Sequence, residues 1–544
     1  MQFVHNDHIV AQMLRSERVN LRSPKMNLIL FILATLLKFF FNMLYFIRKK
    51  LNHEKPQRIP PPNNNLFKMS ATLLAEKIRL REITSQELVE AYIQRIKQVN
   101  PILNAVIEDR FQEALEEAKI CDKNIRNNEI TIPELKKQKP LYGIPFTVKE
   151  SCMLKGLSYT GGSYGRKGIK ALENGEAVEI LRNAGAIPLC VTNTPELCTG
   201  FDSYNHLFGR TCNPYDIRYT AGGSSGGEGA LIGSGCSLIG LGSDISGSIR
   251  IPALFNGIFG HKPTAGIVSI KGHFPYEDNI KFKECLLIGP MTRYVEDLHL
   301  VMKILTATYN RDLYLDDPVD LKKLKVFYLE DFGSSMILVP TQKEIRTCIK
   351  EAVKHLKYCG SEIEEYPGTL IHYIEEILIT ILTLSEIPIL LDPNDSKHEK
   401  QLLYELPKSL LGISQYTFGA IFLKILIYMN KILNYSNQQE CNIQNQRQNF
   451  IDLLSNNSVF IFPTYPITAP IGNVIIFNPL GTIYCNIWNL FGFPATNVPM
   501  GITVDGLPIG LQVIAAPYQD RLCLAVAKEL ERSFGGWIPP YPTC

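Results

Sequence analysis

Apolar and polar positions along this chain change period several times, and each change marks an element. From residue 28, "LILFILATLLKFFFNMLYFI" is a run of twenty mostly apolar residues, long enough to cross a bilayer as a helix. Lys38 lies inside it. A central Lys costs about 2.5–3.5 kcal/mol on insertion, and each Leu, Ile or Phe returns roughly 0.3–0.6 kcal/mol, so insertion prevails. Thr35, Lys38, Asn42, Tyr45 and Lys49 step by three and four along one helix face, so a helix lying in the interface also fits. A cleaved signal fits less well, since the run meets Arg48, Lys49 and Lys50 rather than small residues. The expected layout is a basic extension (1–27), an anchor helix (28–47), a Pro- and Asn-rich linker (48–67) and a body (68–540).

In the body, "ITSQELVEAYIQRIKQVNP" repeats Leu88, Tyr92, Ile96 and Val99 at helical spacing. Thr84 and Glu87 predict a capping box, and Pro101 is expected to stop the helix. Short apolar runs with strand character follow between helical ones: "YGIPFTVKE", "AGAIPLCVTNTP", "GCSLIGLGSD", "KVFYL", "SVFIFPTYP" and "LPIGLQVIA". This alternation predicts an α/β layer structure. A second long apolar segment, residues 410–430, is interrupted by Gln415 and Lys424. It reads as a buried helix, a membrane-facing cap or a second span.

Charge changes this picture in one respect. The first 58 residues hold ten Lys/Arg and three Asp/Glu, and the rest hold 46 and 50. The slightly acidic body excludes nucleic acid as a main partner, and the basic head points to a membrane surface. The thirteen cysteines include no CxxC and no Cys/His cluster at metal spacing, which predicts reduced, mostly buried thiols and no metal.

The chemistry concentrates in "GGSSGGEGALIGSGCSLIGLGSDISGSIRIP", residues 222–252, which contains no His. A phosphate loop would need a Gly-Lys-Ser/Thr ending, which is missing. A nucleophile elbow fits G-x-S-x-G around Ser224, but the preceding "NPYDIRYTA" is polar and turn-like rather than a buried strand. In a third reading, Ser224 and Ser248 act together across a helix-like run at 230–241. "SDISGSIRIP" predicts a turn into a helix at 248–252, where backbone N–H groups of residues 245–248 converge as an oxyanion site. Ser248 is then the nucleophile. Lys149, ending the apolar run of "YGIPFTVKES", is the candidate base, because burial can depress a lysine from its usual value near 10.4. A lysine replacing His is a known variant of triad logic.

"PFTVKE", "GGSSGGEGA", "SDISGSIRIPALFNGIFGHKPT" and "GLPIGLQVIAAPYQDRLCLAVAKELERSFGGW" occur in the order found in the amidase signature family, which the body resembles from about residue 70 to 540. The likeness is strongest to the fatty-acid amide hydrolase 2 branch, whose members also carry an N-terminal membrane segment. The resemblance implies a central twisted mixed β-sheet covered by helices on both faces. It implies a Ser–Ser–Lys triad of Lys149, Ser224 (on a cis peptide after Gly223) and the nucleophile Ser248. The oxyanion donors would be the N–H groups of Ile245, Ser246, Gly247 and Ser248. Ser225 would brace the loop, Asp244 and Arg250 would pair, and Cys198 would lie beside the site.

One departure is Ser246-Gly247, where the family usually has Gly-Gly. If residue 246 needs a positive φ, a side chain there costs on the order of 1 kcal/mol. The function implied is hydrolysis of long-chain fatty-acid amides through an acyl-enzyme, with no cofactor. The implied partners are a lipid amide substrate, the bilayer and a second copy of the chain. The implied location is the endoplasmic reticulum or another internal membrane. An amidase or esterase for another hydrophobic substrate, and a membrane-tethered pseudoenzyme, are the alternatives.

Overall fold

The computed structural model describes residues 57–541, apart from 277, 334–337, 369, 371–403, 410, 433–437, 456 and 473–478, together with Met43. The expected anchor at 28–47 therefore lies outside the described residues, Met43 excepted. Among the described residues no helix is long and apolar enough to cross a membrane.

The body is built on one mixed sheet. Its strands are β1 (Val106–Asp109), β2 (Pro145–Lys149), β3 (Ile187–Thr192), β6 (Ile239–Asp244), β7 (Phe259–Lys262), β8 (Leu287–Thr292), β9 (Lys325–Tyr328), β10 (Glu362–Glu365), β11 (Ser458–Phe462), β12 (Ala495–Ile502) and β13 (Pro508–Ala515). A separate small ribbon pairs β4 (Tyr204–Asn205) with β5 (Gly209–Arg210). The order of the large sheet is β1-β3-β2-β6-β8-β7-β12-β13-β11-β9-β10. β2 is parallel to both β3 and β6, and β9 is parallel to both β10 and β11. The β6–β8–β7–β12–β13–β11 run between them is antiparallel. β2, β3 and β6 are buried along their whole length. Strands covered on both faces read as continuous apolar runs, which is why "YGIPFTVKE" and "GCSLIGLGSD" stand out in the sequence. Amphipathic helices such as Ser85–Leu103, Lys343–Tyr358 and Asp520–Phe534 bury one face against this core.

Local chemistry explains where the elements start, and three boundaries differ from expectation. Thr84 caps the helix Ser85–Leu103 by accepting from Glu87 N–H at 3.0 Å. The first-turn N–H groups of Ser85 and Gln86 go instead to the Asp122 carboxylate, at 2.7 and 2.9 Å. Pro101 does not stop this helix, which continues to Leu103 and closes on Asn104 with φ 52°. The run at 230–241 divides into the end of the helix Gly226–Gly233 and the start of β6. The helix expected at 248–252 begins later, at Arg250, and reaches Phe255. In the second apolar segment, the helix Phe418–Ile432 is fifteen residues long, too short to span a bilayer. Eleven cysteines among the described residues are free thiols.

Candidate active site

Lys149 is the last residue of β2, and its side chain is completely buried. Its Nζ lies 2.6 Å from Ser224 Oγ and 2.8 Å from Ser243 Oγ. The strand aims the amine at the serine loop because β2 pairs in parallel with β6, so both strands deliver their C-terminal ends to the same edge. Ser243 and Asp244 end β6, and the loop of residues 245–249 follows them.

Ser224 sits at the foot of the helix Gly226–Gly233 and is joined to Gly223 by a cis peptide bond. The glycines after it allow a close approach: a Cβ on Gly227 would lie 2.5 Å from Asn193 N and 2.7 Å from Asn193 O. Ser225 braces the loop. Its N–H donates to Ser248 O at 3.1 Å, and its Oγ both donates to Ser243 O and accepts from Ser243 N–H, at 3.3 Å each. Ser248 is buried beside Ser225 through that backbone bond. Lys149 and Ser224 are thus in direct contact, and Ser248 is tied to the same loop by its carbonyl.

The turn before Ser248 is held from beneath. Asp244 Oδ1 accepts from Gly247 N–H at 2.7 Å, and Oδ2 accepts from Ile249 N–H at 3.1 Å. Gly247 N–H is therefore spent on Asp244. Of the four expected oxyanion donors, the N–H groups of Ile245, Ser246 and Ser248 have no hydrogen-bond partner among the described residues. The positive φ in this turn, 105°, belongs to Gly247. Ser246 does not share it, so the strain expected of a side chain there does not arise.

Asp244 and Arg250 are fully buried, not a surface pair. Arg250 also donates to Gln512 Oε1 (2.9 Å), Cys485 O (3.2 Å) and Asn489 Oδ1 (2.5 Å). Asn489 in turn donates to Asp244 O and Oδ1. Arg250 and the bonds from Gly247 hold the Asp244 carboxyl well below the usual range despite its burial. Cys198 is half-buried, with its Sγ 3.4 Å from Thr194 Oγ1 and 3.9 Å from Phe274 O. Ser243, His273, Asn489 and Gln512 were not singled out in the sequence. Only their long-range contacts mark them, and these leave no local pattern.

A second polar cluster forms elsewhere. His355 Nε2 lies 2.7 Å from Glu529 Oε1, and Cys359 Sγ lies 3.4 Å from His355 Nε2. His355 and Cys359 are four residues apart at the end of the helix Lys343–Tyr358, a helical spacing that corrects the expectation of no Cys/His cluster. Arg532 already pairs with Glu529, and with His355 it holds that carboxyl down at about 2.

The chain matches the family model described as Amidase over residues 87–524. It is 40% identical to fatty-acid amide hydrolase 2-B of Danio rerio over 502 residues, covering 90% of this chain and 93% of that one. It is 37% identical to fatty-acid amide hydrolase 2 of Homo sapiens, over 88% of this chain and 92% of that one. A solved fatty acid amide hydrolase structure superposes with a TM-score of 0.69 at 24% identity, over 97% of this chain and 93% of that one. Agreement of that breadth, in a family model and in full-length relatives alike, makes this chain a member of the amidase signature family and an amide-hydrolysing enzyme.

Proposed function

We propose that the chain hydrolyses long-chain fatty-acid amides, with Ser248 as nucleophile, Ser224 as proton relay and Lys149 as base. The observation that carries this reading is the 2.6 Å contact between Lys149 Nζ and Ser224 Oγ in a fully buried setting. Ser248 Oγ attacks the amide carbonyl. Its proton passes to Ser224 Oγ as the Ser224 proton passes to Lys149. The developing oxyanion is met by the N–H groups of Ile245, Ser246 and Ser248, whose donors point at charge that exists only in the transition state. Lys149 then returns a proton through Ser224 to the departing amine, which cannot leave as an anion. Water hydrolyses the acyl-enzyme by the reverse relay.

The acyl preference rests on the surroundings and on the relatives' names. Leu197, Phe274 and Ala420 form an apolar cluster, with Tyr159 and Tyr416 packed against it. Phe274 adjoins His273, which is bonded to Ser243. The helix Phe418–Ile432 thus reaches the neighbourhood of Lys149 through apolar contacts. Leu411 and Ile413, just before that helix, are 75% and 70% exposed. This is the pattern expected where a lipid-dissolved substrate enters from a bilayer.

The test is oleamide hydrolysis by detergent-solubilised full-length protein, beside Ser248→Ala and Lys149→Ala, with fluorophosphonate labelling of each. Turnover in the wild type and its loss in both variants supports the reading. A wild type that neither turns over oleamide nor takes the label overturns it in favour of a lipid-amide-binding pseudoenzyme. Labelling without oleamide turnover redirects the search to other hydrophobic amides or esters.

A further inference from the structure

His273 is the one imidazole in contact with the groups around Lys149 among the described residues. It is carried on a loop strapped to the end of β2: Met153 N–H donates to Gly272 O at 2.9 Å, and Phe274 N–H donates to Ser151 O at 2.8 Å. The ring is 3% exposed. Nδ1 lies 2.9 Å from Pro275 O, and Nε2 lies 2.8 Å from Ser243 Oγ and 3.1 Å from Ser151 Oγ.

These distances fix the direction of every proton in the chain. A backbone carbonyl only accepts, so Nδ1 must carry the hydrogen. In the neutral ring Nε2 is then a bare acceptor, and of the two hydroxyls within reach Ser243, the nearer, is assigned the donated proton. With its one proton committed to His273, Ser243 Oγ can only accept from Lys149 Nζ, at 2.8 Å. A neutral Lys149 then spends one N–H on Ser243 rather than its lone pair, which stays available to Ser224, the group it must deprotonate, at 2.6 Å. Burial holds His273 well below its ordinary value, and any proton that Lys149 takes up lowers it further. The ring therefore stays neutral, and the direction of the chain persists throughout the working range.

We infer that His273 is a positioning residue for catalysis: acting through Ser243, it holds the Lys149 amine with its lone pair directed at Ser224. This inference rests on the reading of Lys149 as the base. Without the Nε2 acceptor, the Ser243 hydroxyl is free to turn and donate to the Lys149 lone pair, which competes with proton uptake from Ser224.

Two substitutions separate this role from packing. His273→Asn keeps an N–H within reach of Pro275 O but has no acceptor long enough for Ser243. His273→Gln extends an amide oxygen to the place of Nε2. The expected result is a roughly 10- to 100-fold fall in kcat for oleamide in the Asn variant, part of what a positioned base contributes. KM should stay within about threefold, and Gln should recover most of the loss. In a Ser243→Ala background the Asn substitution should have no further effect, since a residue acting through Ser243 cannot act without it.

Thermal midpoints of all variants control for folding. Wild-type kcat in His273→Asn overturns the inference, as does equal impairment of Asn and Gln, or an additive effect in the Ser243→Ala background. Lys149→Ala distinguishes the two levels. If that variant keeps wild-type turnover, the assignment of the base has failed. If it is inactive while His273→Asn is unimpaired, only the positioning role has failed.

Discussion

Arg250 and Asp244 meet through two hydrogen bonds of 3.1 Å, Nε to Oδ2 and Nη2 to Oδ1, with neither side chain exposed to solvent. The pair is the underside of the turn that presents Ser248, since the same carboxylate accepts from Gly247 and Ile249. Taking one partner away leaves the other charge buried and uncompensated, which costs about 3–5 kcal/mol. Arg250→Met is therefore expected to lower the thermal midpoint by many degrees and to abolish fluorophosphonate labelling. The Arg218–Asp216 pair makes a control of the same chemistry, with Arg218 33% exposed. Arg218→Met should change stability by no more than about 1 kcal/mol.

Ser246 gives the opposite expectation. Its backbone does not take the positive φ that Gly247 adopts. With the Asn486 amide turned to its better-satisfied orientation, Asn486 Nδ2 donates to Ser246 O at 3.0 Å and to Ser246 Oγ at 2.9 Å. Ser246→Gly therefore relieves no strain and removes one side-chain hydrogen bond, worth about 0.5–1.5 kcal/mol. Turnover should stay within a few-fold of wild type, with a slightly lower thermal midpoint. A large gain in kcat would show that the side chain obstructs the oxyanion turn after all.

Glu228 links the serine loop to pH. Its carboxyl is fully buried between Thr147 Oγ1 (2.5 Å) and Thr192 Oγ1 (2.8 Å). Burial pushes it up to about 8 from an ordinary 4.5, against the opposing pull of the two threonines and Lys149. Between those values the folded protein holds a proton that the unfolded chain has released. Its contribution to stability is complete below about 4.5 and is lost as pH rises through about 8. Glu228→Gln keeps the shape and removes the titration. Thermal midpoints from pH 5 to 9 should fall less steeply in the variant than in the wild type. Equal slopes would place the titrating group elsewhere.

The three residues of the proposed triad stand out in the sequence because they lie in short local motifs. Lys149 closes an apolar strand, and Ser224 and Ser248 lie in glycine-rich turns whose residue types leave few other uses. The strand runs at β2, β3, β6, β9, β11 and β13 were legible for a related reason, since burial on both faces makes a strand continuously apolar. What failed was punctuation. Pro101 near a helix end is tolerated because the helix has already made most of its bonds. The run at 230–241 is broken at Gly233-Ser234-Gly235-Cys236-Ser237, where the helix ends before β6 begins, so the change from helix to strand is carried by that small-residue punctuation and not by the apolar period. Asn489 and Gln512 were invisible for a different reason. They reach Asp244 and Arg250 from more than two hundred residues away, and a single polar residue in an apolar run carries no sign of its partner.

Glu196 sets the last expectation, on substrate access. It is 1% exposed, and its Oε2 accepts from Thr417 N–H at 2.7 Å, at the head of the helix Phe418–Ile432. Oε1 is buried with no partner among the described residues, and burial pushes the carboxyl up to about 7. A buried acid in such a position persists only where the contact it makes is needed. Here that contact joins the loop of residues 194–200 to the helix whose Ala420 packs on Leu197 and Phe274. Glu196→Ala removes the anchor and leaves Lys149, Ser224 and Ser248 untouched. Amide hydrogen exchange should quicken at residues 417–421, and KM should rise several-fold for oleamide but not for a short-chain amide of the same amine. An equal rise for both would mean that the helix supports the site as a whole. No change in exchange would mean that apolar packing alone holds it.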